Sequence, residues 1–251
     1  RTVRDRAGGV AAASQAGHGL ERKGGRIGLA VSAEVRVVMM DVMRGGPSTG
    51  MPTKTEQTDR MQALYGRNGE SPLCVLAATT PTNCFDMAFE AARIAIEHMT
   101  PVILLTDAFI GNGSSAWRVP EADEYPEIHP RFVPESLREG WKPYKRDEKS
   151  LVRYWALPGT EGLMHRVGGL EKDSETGAIS TDPANHEKMV ALRREKVARI
   201  ADDIPRPEVH GGKEAATPAP GRGGTYGTPR TATGEPDGAR NTVALHHPTP
   251  N

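Results

Sequence analysis

Cysteine is scarce in this chain: Cys74 and Cys84 are the only two among 251 residues. Two thiols furnish neither a four-ligand metal site nor a disulfide framework, and they fit a reducing, cytoplasmic setting. Charge of either sign in excess is also lacking, with 32 Lys and Arg against 32 Asp and Glu. That balance argues against a strongly basic nucleic-acid binder and against a polyacidic tail protein. Long apolar runs are missing. Stretches such as Val102 to Leu105 fall far short of the ~20 residues that span a membrane, so no membrane span is expected. Aromatic residues make up 5% of the chain and apolar residues 37%, below the usual share for a globular domain. No signal-peptide pattern opens the chain, and Arg1 stands where a Met would, so we read it as a fragment. What is plentiful is glycine, at 28, and proline, at 20. Both point to a folded portion smaller than the whole, with loop-rich ends.

Composition divides the chain into four blocks. Residues 1–26 are rich in Gly, Ala, Arg and Lys and hold no sustained period. Residues 27–120 carry nearly all the strong structural signals. Residues 121–209 are polar, with turn signals and one long helix. Residues 210–251 are crowded with Gly and Pro, and their large apolar residues are Tyr226, Val243 and Leu245. Such a tail cannot bury enough surface to offset its ordering entropy, so it is expected to lack a packed core.

The second block alternates strand and helix. Val35 to Met43 reads as a strand, preceded by the end of a packed helix at Ile27 to Glu34. Glu56 to Tyr65 reads as a helix with Met61 and Leu64 on one face, ended by Gly66 and Gly69. Leu73 to Ala78 is a short apolar strand. Asn83 offers an N-cap to a helix running to Met99, whose apolar face is Phe85, Ala88, Phe89, Ala92, Ile96 and Met99. Pro101 stops it, and Val102 to Thr106 is a further strand. Apolar strands alternating with amphipathic helices predict an α/β fold with a parallel sheet covered on both faces. Such sheets bind ligands at the carboxyl ends of their strands. Two loops qualify, Arg44 to Thr55 and Asp107 to Ser115.

The first of these loops is R-G-G-P-S-T-G-M-P-T-K-T. Its glycines allow close backbone approach. Ser48, Thr49 and Thr53 supply hydroxyls, while Arg44 and Lys54 supply positive charge. Together they suit an anion, and Arg44 can hold a carboxylate through two parallel hydrogen bonds. A nucleotide-binding P-loop fails on spacing: Gly45 to Gly50 gives G-x-x-x-x-G, but Met51 follows and Lys54-Thr55 comes three positions late. The plain alternative is a tight structural turn with one exposed Arg.

The run R-G-G-P-S-T-G-M-P-T-K-T-E-Q, with D-R-M-Q-A-L-Y-G-R-N-G-E, resembles the alpha subunit of 2-oxoacid:ferredoxin oxidoreductases, especially the 2-oxoglutarate enzymes. The resemblance continues through T-P-T-N-C-F-D-M-A-F-E-A-A-R-I-A, T-P-V-I-L-L-T-D-A-F-I-G-N-G and W-A-L-P-G-T-E-G-L-M-H-R-V-G-G-L-E-K. It extends into D-P-A-N-H-E-K-M and K-V-A-R-I-A-D-D-I-P, covering roughly residues 27–209. It implies the later part of a pyrimidine-type, thiamine-diphosphate-binding domain at 27–120, with a polar extension at 121–209. It implies thiamine diphosphate with Mg2+ shared with a beta subunit, an iron–sulfur cluster on that partner, ferredoxin as electron acceptor and coenzyme A as acyl acceptor. In the family the Arg of R-G-G-P-S-T-G binds the substrate carboxylate, a role that carries to Arg44. The hydroxyls of Thr49 and Thr53 lie against the same substrate, with Ser48 and Lys54 beside them.

The resemblance thins at both ends. The family's Y-P-I-T-P-like segment and its cofactor-activating acid are absent. The family's T-S-G-P-G-L-like cofactor turn is reduced to Gly17-His18-Gly19-Leu20, leaving Gly17 and Gly19 as its cofactor-binding remnant. Gly223 to Gly227, G-G-T-Y-G, resembles the family's G-S-T-Y-G, but the strand expected before it is replaced by A-A-T-P-A-P-G-R. Family-like islands set in Gly, Pro, Ala and Arg suggest reading-frame slips. Two readings follow: a part of a working alpha–beta enzyme, or a non-catalytic fragment acting at most as a subunit-interface module.

The remaining residues read as structural. Cys74 and Cys84 are expected to be buried small hydrophobes, with a lowered thiol pKa at Cys84 as the lesser option. Asp107, Asn112 and Ser114 are expected to shape their loop. His165 and His186 have no metal-site spacing. The helix from Pro183 to Asp203, capped by Asp182, buries Val190, Val197, Ile200 and Ile204. It is expected to turn Lys188, Arg193, Arg194, Lys196 and Arg199 to solvent.

Overall fold

The apolar runs become the strands of one parallel sheet. The structure, a computed structural model, describes residues 11–15, 17–205, 209–210, 221–234 and 243–244. Strands β1 (Ala11–Gln15), β2 (Val37–Met43), β3 (Cys74–Ala77) and β4 (Val102–Asp107) lie in the order β1-β2-β4-β3, all parallel. On one face pack α1 (Gly17–Glu21), α2 (Gly24–Ala33) and α3 (Asp59–Tyr65), through Leu20, Ile27, Val31 and Ala63 against Met39, Met43, Ile103 and Leu105. On the other face, α4 (Asn83–Glu97) sets Ala91, Ile94 and Ala95 on Val38, Leu76, Val102 and Leu104. Fully burying one such Ile or Leu side chain stabilises by roughly 1.5–3 kcal/mol. A short helix, α5 (Ala108–Asn112), follows β4 directly. The parallel α/β fold expected from the alternation is therefore present, with helices on both faces.

Several local expectations shift. The edge strand β1 falls within residues 1–26, where no period is visible, because A-A-A-S-Q offers backbone pairing without large apolar side chains. Helix α3 begins at Asp59 rather than Glu56, and Met61 is 61% exposed while Ala63 is fully buried. In α4 the inward stripe is Ala91, Ile94 and Ala95. The expected Phe85 and Phe89 lie on its flank, stacked with Trp117 and Tyr125 at centroid separations of 5.4 and 4.6 Å. Asn83 is the first helical residue, not the cap; its Oδ1 accepts from the Thr79 N–H, while Thr80 Oγ1 accepts from the Asn83 N–H. Cys74 and Cys84 are half-buried, and burial pushes the Cys74 thiol up to about 12 and the Cys84 thiol up as well, so neither is a low-pKa nucleophile.

The extension is a run of turns and isolated bridges, such as Phe132 with Trp155, closed by α6 (Pro183–Arg199). Asp182 caps α6 as expected, accepting from the Ala184 N–H at 3.1 Å. The charged residues of α6 do not all face water. Lys188 and Arg194 are exposed, but Arg193 and Lys196 are buried. Arg193 pairs with Glu171 at 3.2 Å. Lys196 reaches Glu34, which also holds Arg146 and Arg153, at 3.2, 2.6 and 3.1 Å respectively. Burial works against the Glu34 carboxylate, but Arg146, Lys196 and Arg153 outweigh it and hold its pKa down to about 2. This cluster joins the end of α2, the extension and α6 in one buried knot.

Most of the tail expected to lack a packed core lies outside the described residues. Within it, β5 (Val209–His210) pairs antiparallel with β6 (Val243–Ala244), and α7 spans Gly227–Gly234. The turn before α7 is packed: Gly223 is buried. No helix among the described residues is long and apolar enough to cross a membrane.

Candidate functional site

Arg44 follows the last residue of β2, at the carboxyl edge of the sheet. It is half-buried, and its Nε is shut away from solvent with no hydrogen-bond partner among the described residues. A buried guanidinium N–H without an acceptor is costly unless an acceptor arrives, so the geometry favours an anion here.

The loop after Arg44 is pinned to itself. The Gly45 N–H donates to Lys54 O at 2.9 Å, Met51 N–H to Gly45 O at 2.7 Å, and Gly50 N–H to Pro47 O at 2.9 Å. The Gly46 N–H donates to Glu56 Oε2 at 2.9 Å. Ser48, Gly50 and Thr53 adopt positive φ of 55, 66 and 58°. Gly50 is obligatory, since an added Cβ would stand 1.5 Å from Gly45 O. We expect Gly50→Ala to unseat the loop, through that overlap plus the ~1–2 kcal/mol a side chain costs in left-handed backbone. Faster tryptic cleavage after Lys54, with little change in overall Tm, is the expected result; unchanged cleavage would contradict it.

Ser48, Thr49, Thr53 and Lys54 are exposed. The loop is thus an open wall whose hydroxyl-bearing residues are accessible. A cleft of about 400 Å³ lies elsewhere, in the extension, among Trp141, Met164, His165 and Ile179. It touches none of the loop residues.

Gly17 and Gly19 lie in α1, just past the carboxyl end of β1. Since β1 and β2 are parallel neighbours, with Gln15 beside Asp41, the two strands deliver the α1 turn and the Arg44 loop to the same edge. The placement fits a cofactor held by one loop and a substrate held by the next.

At β4, Asp107 is buried and N-caps α5, with Oδ1 accepting from the Ile110 N–H at 2.9 Å. Its Oδ2 accepts from the Gly224 N–H at 2.9 Å. The side chain of Gln57 donates to Arg222 O at 2.9 Å. The G-G-T-Y-G turn is thereby clipped onto the carboxyl edge of the sheet, where a Cβ on Gly224 would meet Asp107 Oδ2 at 2.4 Å. Asp107 shapes its loop as expected, and Asn112 does likewise through Nδ2 to Ala108 O at 2.7 Å. His165 and His186 are structural: one Nδ1 meets Leu163 O, the other Glu171. No group of three metal-ligating side chains occurs among the described residues.

Sequence reasoning passed over Asp41. It is fully buried, both carboxylate oxygens are without a hydrogen-bond partner among the described residues, and burial, then nearby Asp59, push its pKa up to about 7. The only signal was a lone acid inside V-V-M-M-D-V-M.

Residues 5–182 match the model of the family described as pyruvate flavodoxin/ferredoxin oxidoreductase, thiamine diphosphate-binding. The chain belongs to this family. A family relative named 2-oxoglutarate oxidoreductase subunit KorA, from Mycobacterium tuberculosis, is 50% identical over 193 residues, which are 77% of this chain and 29% of the relative. The 2-oxoglutarate synthase subunit KorA of Methanothermobacter marburgensis is 31% identical over 196 residues, 78% of this chain and 50% of its own. The solved 2-oxoglutarate:ferredoxin oxidoreductase from Magnetococcus marinus, with 2-oxoglutarate, coenzyme A and succinyl-CoA bound, superposes with a TM-score of 0.85 at 30% identity. That match covers 99% of this chain and 43% of the other. The chain thus spans half or less of the length of these relatives.

Proposed function

We propose that this chain is part of the alpha subunit of a thiamine-diphosphate-dependent 2-oxoacid:ferredoxin oxidoreductase acting on 2-oxoglutarate or a related 2-oxoacid. The observation that carries the reading is Arg44: a guanidinium whose buried Nε has no hydrogen-bond partner among the described residues, at the carboxyl edge of a parallel sheet, the edge at which such sheets bind ligands. Arg44 holds the substrate carboxylate and so fixes where C2 lies. The hydroxyls of Ser48, Thr49 and Thr53 line the same wall, and Lys54 adds positive charge at its rim. Gly17 and Gly19 let the backbone come close to the cofactor. Thiamine diphosphate, when bound, supplies the carbon nucleophile that decarboxylation of a 2-oxoacid needs. In this reading Mg2+ and the iron–sulfur cluster belong to a beta subunit, ferredoxin takes the electrons, coenzyme A takes the acyl group, and the setting is cytoplasmic.

The open loop has a consequence: the site needs a second wall. The isolated chain is expected to be inactive, which is where the alternative, an interface module alone, makes the same forecast. The experiment that separates them supplies the upstream segment of a full-length relative and its beta subunit, then follows viologen reduction with 2-oxoglutarate and with pyruvate. Turnover with a 2-oxoacid is expected. Assembly with cofactor bound and no turnover on any 2-oxoacid would leave only the interface role.

A further inference from the structure

Asp41 sits in the middle of β2, on the face it shares with Met39 and Met43, beneath α1, α2 and α3. A carboxylate in an apolar layer with neither oxygen bonded is not tolerable as an anion. Among the described residues the charged groups on the elements packed against it are few, and Gln15, its register partner on β1, is uncharged. From α3 comes Asp59, half-buried; Lys23, between α1 and α2, is half-buried too, and both Lys23 and Asp59 have further partners of their own; Arg60 and Tyr65 of α3 are exposed, as are Glu21 of α1 and Arg26 of α2. His18 of α1 has a side chain outside the described residues. On β4, Leu105 is the register partner, and Asp107, two residues further on, is engaged by the Ile110 and Gly224 N–H groups. Among the described residues, the neighbour whose charge acts on Asp41 is another acid, Asp59.

Asp41 and Asp59 stand on the two elements that begin and end the Arg44 loop, β2 and α3. We propose that Asp41 is a positioning residue for that loop: as the neutral acid it lets α3 lie on the sheet, and its ionisation beside Asp59 drives α3 and the preceding loop away. The mechanism is linkage. In the seated form Asp41 titrates near 7, whereas in an opened form it returns towards 3.8, the ordinary value. The seated form therefore binds the extra proton between those limits. Its advantage is complete below about 4, declines as pH rises, and levels off above 7, by at most tenfold per pH unit.

This inference takes the loop as the anion-binding loop of the proposed function, but its test does not depend on that. Carboxyl 13C NMR of the full chain should show Asp41 titrating near neutrality, with Asp59→Asn moving the midpoint down. Tryptic cleavage after Lys54 should quicken in the wild type, relative to Asp41→Asn at the same pH, from pH 5.5 to 7, and the ratio should then level off. If Asp41→Asn does not fold, Asp59→Asn serves in its place, with slower cleavage at pH 7 and above. An Asp41 that titrates as an ordinary carboxylate, or a cleavage ratio flat with pH, would overturn the proposal. Failure of Arg44 variants to affect turnover would instead strike the functional reading and leave the Asp41 titration standing.

Discussion

Glu34→Gln is expected to destabilise the protein by about 3–5 kcal/mol, the usual cost of breaking a buried ion pair by removing one partner. Glu34 is 1% exposed and holds Arg146, Arg153 and Lys196 within 3.2 Å. Gln keeps the shape but removes the one negative charge that three cations share. Other bonds remain, from Lys196 Nζ to Met99 O at 3.1 Å and from Arg153 Nη2 to Ala33 O at 3.2 Å, but they do not neutralise charge. Lys196, whose pKa burial already lowers to about 8 against the pull of Glu34, is the cation most easily discharged in the variant. Thermal unfolding should show a Tm lower by roughly 10 °C or more. The exposed pair Arg118–Glu124 is the control, since Arg118→Ala should leave the Tm nearly unchanged. The pH dependence has a fixed sign. The Glu34 pKa is depressed in the fold, so its contribution is present above about 4.5 and lost as pH falls through about 2. A Glu34→Gln Tm within 2 °C of wild type, on a scale of roughly 2–4 °C per kcal/mol, would show that the knot contributes little.

In the assembled enzyme, Arg44→Ala is expected to cut 2-oxoacid turnover by more than a hundredfold while leaving thiamine diphosphate affinity nearly unchanged. Displacing a reacting centre by about 1 Å can cost on the order of a hundredfold, and Ala removes both the charge and the anchor. Arg44→Lys should fall between the two, because Lys keeps the charge but lacks the planar pair of donors. The measurement is kcat/KM for viologen reduction beside a cofactor titration. An unchanged kcat/KM in Arg44→Ala, or a loss confined to cofactor affinity, would refute the assignment.

Most of the sheet was legible because its strands are short apolar runs closed by Pro, Gly or Asp, and the positions of β2, β3 and β4 follow from that. The candidate loop was legible because Gly, hydroxyl and Arg residues crowd one stretch after a strand. What stayed hidden shares a cause. β1 carries its information in backbone pairing, which alanines do not announce. Ala63 and Ala91 are buried where Met61 and Phe85 were expected, because size and period do not say which flank a later segment will cover. Arg193 and Lys196 read as solvated charges, and they are buried only because Glu171 and Glu34, distant in sequence, meet them. Asp41 was masked by its apolar neighbours, although an acid at that place in a strand is the kind of local conflict that marks a special site.

The clip between Asp107 and Gly224 joins points 117 residues apart, and that between Gln57 and Arg222 joins points 165 apart. The turn is in effect a ligand that its own chain carries, and the tether sets its effective concentration. The three hydrogen bonds that join the turn to this edge, one from Gly224 to Asp107 and one each way between Gln57 and Arg222, are each worth about 1 kcal/mol net and would hold almost nothing if the turn were a free peptide. Joined to the chain, the same bonds act against a local concentration that short linkers raise into the millimolar range. Occupancy of the sheet edge by this turn is therefore a matter of connection more than of affinity.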